Sequence, residues 1–405
     1  MLVGASPHPL ARTVGAGFRT PSRMIQPRSA ASNGAPAHGS GHAADRHTDA
    51  QGVLRCIAFG PYADDLDPER DQPSSALMDT LLDIVVRELG FRCIMTYNVR
   101  PPLDHIFQAA SQRGLKVIAI IWLDSDQSAN NASIEGGIQA VRTYPNTIIR
   151  LSCGSELRTR RVPNAEAIIR DCTTHLRDAG VSQPTGYIDT WWVWCGERWP
   201  CQRWDLADDV DWIGINVFPW WENKYSGLFP CTPAADAAAF HVARYQDLMA
   251  RYPEKEVILT EFGWPAGPAG YTETNQYTGQ QCGVAGQENQ CLVIEETLAE
   301  LDRLNLPGVV FETLREPWKA RNEGPVGPYW GICEENPPYT CRCLACPNFD
   351  GDERVDVDDI EAVAAHWRRQ TTDPGWDTRF DLYRDGRIDV VDIMRVAAKW
   401  GEECP

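Results

Sequence analysis

Two stretches, Leu151-Ser-Cys-Gly-Ser-Glu156 and Val257-Ile-Leu-Thr-Glu-Phe-Gly-Trp264, decide the fold. Each is a short apolar run that leads to a glutamate, with glycine and a hydroxyl residue beside it. Runs of this kind are typical of parallel strands buried on both faces. Core packing does not explain a carboxylate at the C-terminal end of such a strand. Barrel enzymes place their chemistry at that end, so Glu156 and Glu261 are candidates for a catalytic pair.

An alternation of strands and helices extends from these stretches in both directions. Strands are predicted at residues 54–59, 91–97, 116–123, 147–153, 185–190, 211–218, 256–260 and 308–313. Helices are predicted at residues 75–89, 103–113, 133–143, 164–179, 234–251 and 289–304. Because parallel strands require crossover connections, this order predicts an α/β fold, a (β/α)8 TIM barrel over residues 53–332.

Composition limits the classes of partner and compartment. The length of 405 residues suits one barrel and one small module. A net charge of −18 argues against nucleic acids and anionic membranes, and the sequence has no apolar run long enough to span a membrane. Fourteen cysteines indicate an oxidising compartment, so we expect an extracellular or cell-surface protein. Residues 1–52 are predicted to be disordered and show no signal peptide, which favours a misassigned start codon over an unusual export route.

Paired glutamates at a barrel mouth fit the hydrolysis of a glycosidic bond. One carboxylic acid protonates the leaving oxygen, and a second carboxylate acts from the other side of the sugar. When the carboxyl groups lie ~5–5.5 Å apart, the second attacks directly and configuration is retained. Aromatic side chains on which sugars stack should line the site, and the predicted strand ends supply Tyr62, Tyr97, Trp122, Trp191, Trp192, Phe218, Trp220, Trp221, Trp264, Trp318 and Trp330.

Residues 53–332 resemble glycoside hydrolase family 17, the β-1,3-glucanase and glucan transglycosylase group. The resemblance is carried by Phe59-Gly-Pro-Tyr62, Gly114-Leu-Lys-Val117, Ile121-Trp122, the Gly-x-Glu at Glu156, Phe218-Pro-Trp-Trp-Glu222, Thr260-Glu-Phe-Gly-Trp-Pro265, Asn289-Gln290, Glu316-Pro-Trp-Lys319 and Glu323-Gly-Pro-Val-Gly-Pro-Tyr-Trp-Gly331. The last run and the Trp-Glu after the sixth strand resemble the bacterial branch more than the plant enzymes. The resemblance implies that Glu156 is the acid/base, that Glu261 is the nucleophile, and that β-glucan is the substrate, with no cofactor for catalysis. The candidate substrate-binding residues are Tyr62, Tyr97, Ser155, Asn216, Trp220, Glu222, Trp264, Glu312, Trp318 and Lys319.

Three residues depart from the pattern of this family. Ser155 replaces an Asn before the acid/base glutamate, Met95 stands where the family usually has Arg, and Arg315 replaces an acidic residue. In the family, the Asn contacts the sugar 2-OH, an interaction that strengthens in the transition state. A serine hydroxyl can still bond the 2-OH directly or through water. Two functions therefore stay open: a retaining β-1,3-glucan hydrolase or transglycosylase, and a barrel that binds glucan without cutting it.

Residues 347–405 contain an internal repeat with an offset of 33 residues. Val355-Asp-Val-Asp-Asp-Ile360 and Val363-Ala-Ala-His-Trp367 recur as Ile388-Asp-Val-Val-Asp-Ile393 and Val396-Ala-Ala-Lys-Trp400. Each copy spaces oxygen ligands as a calcium loop does. The candidate ligands are Asn348, Asp350, Asp352, Asp356 and Asp359 in the first copy and Asp381, Asp385, Asp389 and Asp392 in the second. The repeat resembles the dockerin module, which implies a small all-α unit, bound Ca²⁺ and a cohesin-type partner. An acidic, solvated tail is the alternative.

The cysteines suggest crosslinks but do not fix them. Residues 333–346 are rich in Cys and Pro and are predicted to be a linker or a stapled loop. Four cysteines there could instead hold zinc, although their spacing is not a paired CxxC arrangement: Cys333, Cys341, Cys343 and Cys346. The other candidates for disulfides are Cys195 with Cys201, Cys282 with Cys291, and a clasp between Cys346 and Cys404.

Overall fold

A computed structural model describes residues 53–344, 347–350, 352, 354–382, 386–397 and 399–401. In this part of the chain, eight parallel strands close into a barrel, in which each strand pairs with the next and the last returns to the first. The barrel strands are β1 (Arg55–Phe59), β2 (Cys93–Thr96), β3 (Lys116–Ile120), β4 (Ile148–Ser155), β5 (Thr185–Thr190), β6 (Trp212–Asn216), β7 (Glu256–Phe262) and β10 (Gly308–Val310). A short antiparallel hairpin, β8 (Glu273–Thr274) and β9 (Gln281–Cys282), lies outside it. The predicted (β/α)8 barrel is confirmed.

The helices are α1 (Ser75–Arg87), α2 (His105–Gln112), α3 (Gln127–Thr143), α4 (Ala165–Asp178), α5 (Trp191–Trp194), α6 (Pro219–Tyr225), α7 (Ala234–Arg251), α8 (Gln287–Leu304), α9 (Ala320–Glu323), α10 (Val357–Ala364) and α11 (Val390–Ala397). Helices α1 to α9 accompany the barrel strands, and α10 and α11 belong to the C-terminal repeat. The sequence predicts α7 to the residue. It misses the short helices α5, α6 and α9 and the hairpin, because helices of one or two turns and two-residue strands are too short to show a periodic pattern.

The strands form because each of them serves two apolar cores. Ile57 and Phe59 of β1 pack outward against helix residues such as Leu82 of α1. Cys56 and Ala58, at the alternate positions, pack inside the barrel. Side chains of a strand alternate between its two faces, so a strand that is buried on both becomes a continuous apolar run. This is the pattern that the sequence shows.

Six disulfides join described residues, and they correct the predicted pairing. Cys195 bonds to Cys201 as expected, but Cys282 bonds to Cys231 rather than to Cys291. The others are Cys56–Cys93, Cys153–Cys172, Cys291–Cys343 and Cys333–Cys341. A sulfur in a disulfide cannot serve as a thiolate ligand, so the zinc interpretation of the 333–346 segment is wrong. Cys346 and Cys404 lie outside the described residues, and so does the clasp predicted between them.

The segment that follows Gly331 packs against the barrel. The amide of Cys333 donates to the carbonyl of Thr313 at 2.9 Å, and the amide of Arg315 donates to the carbonyl of Cys333 at 2.9 Å. Tyr339 and Leu344 belong to the same core as the outer faces of the strands. Held also by its two disulfides, the described part of this segment has the form of a stapled loop.

The C-terminal repeat forms a small helical unit with its own core. The core is built from Val355, Val363, Phe380, Ile388 and Val396, which include both copies of two repeat positions. The amide of Arg368 donates to the carbonyl of Ile388 at 2.8 Å, and the amide of Gly401 donates to the carbonyl of Val355 at 2.8 Å. These two bonds are related by the 33-residue offset of the repeat. Each copy therefore closes on the loop of the other.

Across the described ranges, no helix is both long and apolar enough to cross a membrane.

Candidate active site

Both candidate catalytic glutamates follow an irregularity in their strand. Between β4 and β5, three steps from Ser152 to Ser155 match only two steps on the partner strand. Between β6 and β7, one step on β6 matches two steps on β7, from Leu259 to Glu261. An extra residue of this kind bends a strand and redirects the side chain that follows. One bulge thus precedes Glu156 and the other ends at Glu261, at the C-terminal ends of β4 and β7. Glu156 lines a cavity at this end of the barrel, whereas Glu261 is fully buried and does not line it.

Local backbone geometry explains the residues that precede Glu156. Gly154 has a φ of 93°, and a Cβ at this position would lie 2.3 Å from Cδ1 of Leu157. Only glycine fits such a position without strain. Glu156 itself has a φ of 56°, which is uncommon for a residue with a side chain. Its amide donates to the carbonyl of Ile188 at 2.8 Å, and its carbonyl accepts from the amide of Arg160 at 2.7 Å. The strained residue is therefore held from both sides.

Glu261 is buried at the end of β7. The Tyr97 hydroxyl donates to its Oε1 at 2.8 Å, while its Oε2 has no hydrogen-bond partner among the described residues. Burial raises the pKa of Glu261 well above its usual range, and the neighbouring Glu156 adds to this shift. The hydrogen bond from Tyr97 and the charge of Lys319 act in the opposite direction. A buried oxygen without a partner, beside two groups that favour the anion, is what an attacking carboxylate requires.

Glu156 has a different set of partners. Its Oε1 accepts from Nδ2 of Asn216 at 2.9 Å, and Oδ1 of Asn216 accepts from the Thr260 hydroxyl at 2.9 Å. The threonine fixes the orientation of the amide, so that Asn216 presents its NH2 group to the glutamate. Burial, followed by the charge of Asp189, raises the pKa of Glu156 to about 7. A carboxyl group with this pKa is still largely protonated in mildly acidic solution and can serve as a general acid.

A buried cation lies next to the pair. Lys319 bonds to Glu312, and its Nζ lies 2.9 Å from Oε2 of Glu316. The charge of Lys319 also counteracts the burial that raises the pKa of Glu323 to about 7. Glu316 approaches the chain closely: a Cβ at Gly60 would lie 2.5 Å from its Oε1. Burial lowers the pKa of Lys319, but the carboxyl groups of Glu312, Glu316 and Glu323 around it outweigh burial and raise that pKa above its usual value.

One cavity, which we call the cleft, opens at this end of the barrel. It is lined by seven of the predicted site residues, namely Tyr62, Tyr97, Ser155, Glu156, Glu312, Trp318 and Lys319. Trp122 and Arg160 also line it, and the guanidinium of Arg160 stacks on the Trp122 ring at 4.3 Å. The cleft therefore combines an acid, a hydroxyl beside it and aromatic walls, which suits a neutral sugar.

Four predicted substrate-binding residues do not line the cleft. Trp220 and Trp264 are fully buried and pack edge to face at 5.2 Å, so in this conformation neither presents a ring to a ligand. Asn216 is also buried and contacts Glu156 instead. Glu222 lies on α6 and accepts a hydrogen bond from Nε1 of Trp191 at 2.9 Å. Tryptophan supplies the same large apolar surface to a core as to a sugar site, which is why sequence reasoning misplaced the first two.

The residues that depart from the family pattern lie in three different environments. Ser155 lines the cleft next to Glu156. Met95 is buried inside the barrel among apolar neighbours. Arg315 points towards the stapled loop, where its Nη1 lies 2.7 Å from Oε2 of Glu334. Only the serine of these three borders the cleft.

Sequence reasoning missed Arg160, Glu323 and Asp189. Arg160 is packed under the mouth, where it donates to the carbonyls of Leu123 at 2.8 Å and Ser155 at 3.2 Å. Glu323 lies in a motif that the family resemblance quotes, which could have drawn attention to it. Arg160 and Asp189 lie outside the quoted motifs, and the partners that tie them to other strand ends, Leu123 for Arg160 and Thr159 for Asp189, are distant in sequence.

The C-terminal loops hold their carboxylates inward. Oδ2 of Asp359 accepts from the amide of Asp356 at 2.9 Å, and Oδ2 of Asp392 accepts from the amide of Asp389 at 2.7 Å. Asp359 and Asp392 are both buried. In the described part of these loops no three acidic, His or Cys side chains come together as a metal cluster, and Asp385 lies outside it. The potential donors are nevertheless carboxylate oxygens, the ligand type that calcium prefers.

Comparison with known proteins identifies the barrel. The model of the BtgE/BtgC glycoside hydrolase domain matches residues 56–331. A glucan 1,3-beta-glucosidase of Arthroderma benhamiae is 22% identical over 255 residues, which cover 59% of this chain and 75% of that protein. A cell surface mannoprotein of Candida albicans is 21% identical over 288 residues, covering 69% of this chain and 67% of its own length.

Solved structures share the fold. A β-1,3-glucanosyltransferase from Rhizomucor miehei, an active-site mutant in complex with laminaritriose, aligns with a TM-score of 0.54 at 16% identity, covering 72% of this chain and 98% of that chain. An endo-laminarinase from Formosa Hel1_33_131 aligns with a TM-score of 0.58 at 17% identity, covering 69% and 83%. At such identities the alignments show the barrel and no more. Since the family model covers the whole barrel, the chain belongs to the BtgE/BtgC glycoside hydrolase domain family, which is similar to glycoside hydrolase family 17, and it is a glycosidase.

Proposed function

We propose that the protein cleaves β-1,3-linked glucan with retention of configuration, through a glucosyl ester of Glu261. The observation that carries the proposal is the pair of buried carboxyl groups at the ends of β4 and β7, each next to a bulge and each with its own hydrogen-bond donor. Relatives named for 1,3-β-glucosidase and β-1,3-glucanosyltransferase activities support the substrate class.

In the first step, a carboxylate oxygen of Glu261 forms a bond to the anomeric carbon while the glycosidic C–O bond breaks. Glu156 gives its proton to the departing oxygen and becomes a carboxylate. In the second step, Glu156 takes a proton from water or from a sugar hydroxyl, whose oxygen attacks the anomeric carbon and releases Glu261. Water as the attacking group gives hydrolysis, and a sugar gives transglycosylation. Both follow from the same geometry.

Other side chains support these steps. Tyr97 stabilises the Glu261 anion before attack and after release. Ser155 lies next to Glu156 in the cleft and can contact the sugar hydroxyls. Tyr62, Trp122 and Trp318 provide aromatic surface along the cleft for the apolar faces of the rings.

The test is incubation with laminari-oligosaccharides, with products followed by mass spectrometry and the first-formed anomer by NMR. Wild type should give shorter or longer β-anomeric products, and Glu261→Gln should give none. Glu256→Gln is a matched control, because Glu256 begins the same strand at the opposite end of the barrel and pairs with Arg150 at 2.7 Å. Saturable glucan binding by wild type without any product would replace this proposal with the non-catalytic, glucan-binding barrel.

We also propose that the C-terminal repeat binds calcium and docks a cohesin-type partner. Asn348, Asp350, Asp352, Asp356 and Asp359 would hold one ion, and Asp381, Asp385, Asp389 and Asp392 the other. Apolar side chains exposed at repeat-related positions support a protein partner: Val357 is 49% and Val390 is 53% exposed, and Trp367 and Trp400 form a second exposed pair.

Calcium binding is testable by titration calorimetry on the full chain. Asp392→Asn should remove one binding event. Asp358→Asn should not, because Asp358 is an exposed residue of α10 and is not a candidate ligand. A purified type I cohesin should then bind in calcium and be released by chelator. Absence of any calcium-dependent heat would leave the acidic, solvated tail as the explanation.

We further propose an extracellular or cell-surface location. The disulfides between described residues support an oxidising compartment. Secretion by a eukaryotic or bacterial export host should give the fully oxidised protein, whereas reducing cytoplasmic expression should give free thiols by mass spectrometry.

A further inference from the structure

We infer that Asp189 is a positioning residue for acid catalysis: it anchors the turn that carries Glu156 and places a negative charge beside that glutamate. The inference rests on the proposed function, because it concerns how Glu156 holds its proton. It is carried by the hydrogen bonds of Asp189 and by the backbone that they hold.

Asp189 lies near the C-terminal end of β5 and is completely buried. Its Oδ1 accepts from the Thr159 hydroxyl at 2.6 Å and from the amide of Thr190 at 2.8 Å. Its Oδ2 accepts from the amide of Arg158 at 3.2 Å and from the Tyr187 hydroxyl. Among the described residues, these four donors are two hydroxyls and two backbone amides, so every one of them is neutral. Burial raises the pKa of Asp189, and the four donors lower it.

Two of these donors belong to the turn that begins at Glu156. Arg158 and Thr159 follow the glutamate by two and three residues, and Glu156 is held at a φ of 56°. A backbone in this region relaxes unless its surroundings fix it. Asp189 supplies that fixation from the neighbouring strand, because one carboxylate receives both an amide and a hydroxyl of the turn.

The same carboxylate acts on Glu156 through its charge. A negative neighbour disfavours ionisation, so it keeps the proton on a general acid. Asn216 on β6 and Arg160 in its own turn act on Glu156 in the opposite sense and favour its anion. Glu156 in turn raises the pKa of Glu261 on β7 and of Glu323 on α9. A buried carboxylate without a cationic donor is costly to maintain, and such groups concentrate at functional sites. Fixing the turn could be done by a neutral side chain; raising the proton affinity of Glu156 requires the charge.

The test compares the pH dependence of kcat/KM for wild type and Asp189→Asn on laminari-oligosaccharides. Loss of the charge should move the basic limb down by about one pH unit, giving about a tenfold loss at pH 8. With a dinitrophenyl laminaribioside, whose leaving group needs no proton, the loss should stay below about threefold. Asp211→Asn is the control, because Asp211 accepts from the amide of Thr185 at 2.8 Å, at the other end of β5. Its profile should match wild type.

Glu156→Gln separates the inference from the proposed function. If Glu156→Gln keeps wild-type activity on the oligosaccharide, the proposed function fails. If Glu156→Gln is inactive but Asp189→Asn shows an unchanged basic limb and equal losses on both substrates, Asp189 is only structural and the inference is overturned. Should Asp189→Asn not fold, Tyr187→Phe replaces it: loss of one donor favours the neutral form of Asp189, so the basic limb should move in the same direction by less. An unmoved limb in Tyr187→Phe would then overturn the inference.

Discussion

Glu156 and Glu261 lie at equivalent positions, each at the C-terminal end of a barrel strand, but their neighbouring side chains differ. Glu156 directly follows β4 and Glu261 is the penultimate residue of β7, and each lies next to a bulge. Glu261 receives a hydroxyl from Tyr97 and has Lys319 nearby, both of which favour its anion. Glu156 receives a neutral amide from Asn216 and has Asp189 nearby, which favours its protonated form. In the proposed mechanism, β4 and β7 supply the two carboxyl groups, and their neighbours distinguish the attacking group from the acid. Because burial and Glu156 raise the pKa of Glu261 well above its usual range, Tyr97 and Lys319 must offset that shift for Glu261 to attack as the anion.

The largest effect is expected for Glu261→Gln assayed on a dinitrophenyl laminaribioside, which tests Glu261 as the attacking group. This substrate needs no acid but still needs a nucleophile, so we expect a loss of at least about 10⁴-fold in kcat. Stopped-flow release of dinitrophenolate measures it. A variant that keeps more than about a tenth of wild-type activity would show that Glu261 is not the attacking group.

Glu156→Gln tests the role of Glu156 as the general acid. On laminari-oligosaccharides we expect a loss of about 10²–10⁴-fold, whereas kcat/KM on the dinitrophenyl substrate should change little. In wild type, activity should fall as pH rises through about 7, because Glu156 must carry a proton. The variant should lose this basic limb in a profile of kcat/KM against pH. Equal losses on both substrates would contradict the assigned role.

Tyr97→Phe tests the donor that favours the Glu261 anion. Removing a hydrogen bond to a charged group costs about 1.5–3 kcal/mol, so kcat/KM should fall about tenfold or more. The pKa of Glu261 should rise, and since its anion attacks, the acidic limb should move to higher pH. Trp122→Phe changes another half-buried aromatic of the cleft and serves as control, since it should leave that limb in place.

Thr260→Val tests the smallest element of the comparison, the orientation of Asn216. Without the threonine hydroxyl, the amide can turn its oxygen towards Glu156, and a neutral hydrogen bond of about 0.5–1.5 kcal/mol is lost. We expect about a threefold loss in kcat/KM on oligosaccharides. Thr173→Val, a buried threonine on α4 whose hydroxyl bonds to the carbonyl of Arg170, should be without effect. A loss of the same size in both variants would reduce Thr260 to a packing role.

The barrel was predictable because its signal is local. The strand residues Ile258-Leu-Thr260 are followed directly by Glu261. The strand, its C-terminal end and the candidate catalytic residue are therefore adjacent in the sequence. The bulges were not predictable, because an extra residue exists only relative to the register of the partner strand. They explain why β4 continues to Ser155 and β7 to Phe262, beyond the predicted ends.

The residues around the glutamates were only partly predictable. Tyr97 was predicted as an aromatic residue at a strand end and Lys319 through a family motif, and both line the cleft. Trp220 and Trp264 were expected there and are packed inside, since an aromatic residue beside a strand end fits either place. The link from Asp189 to the Glu156 turn left no trace in the sequence, because Thr159 is 30 residues away and belongs to another strand-end turn. Burial and charge become visible only when the strands are paired.

The two backbone hydrogen bonds that link the copies of the C-terminal repeat make each copy depend on the other. The chain after α10 completes the loop of the second copy, through Arg368 and Ile388, and the chain after α11 completes the first, through Gly401 and Val355. A half-repeat expressed by itself would lack both its backbone partner and half of the shared core. We therefore expect the two copies to fold and unfold together rather than one at a time. The two copies together make a single folding unit.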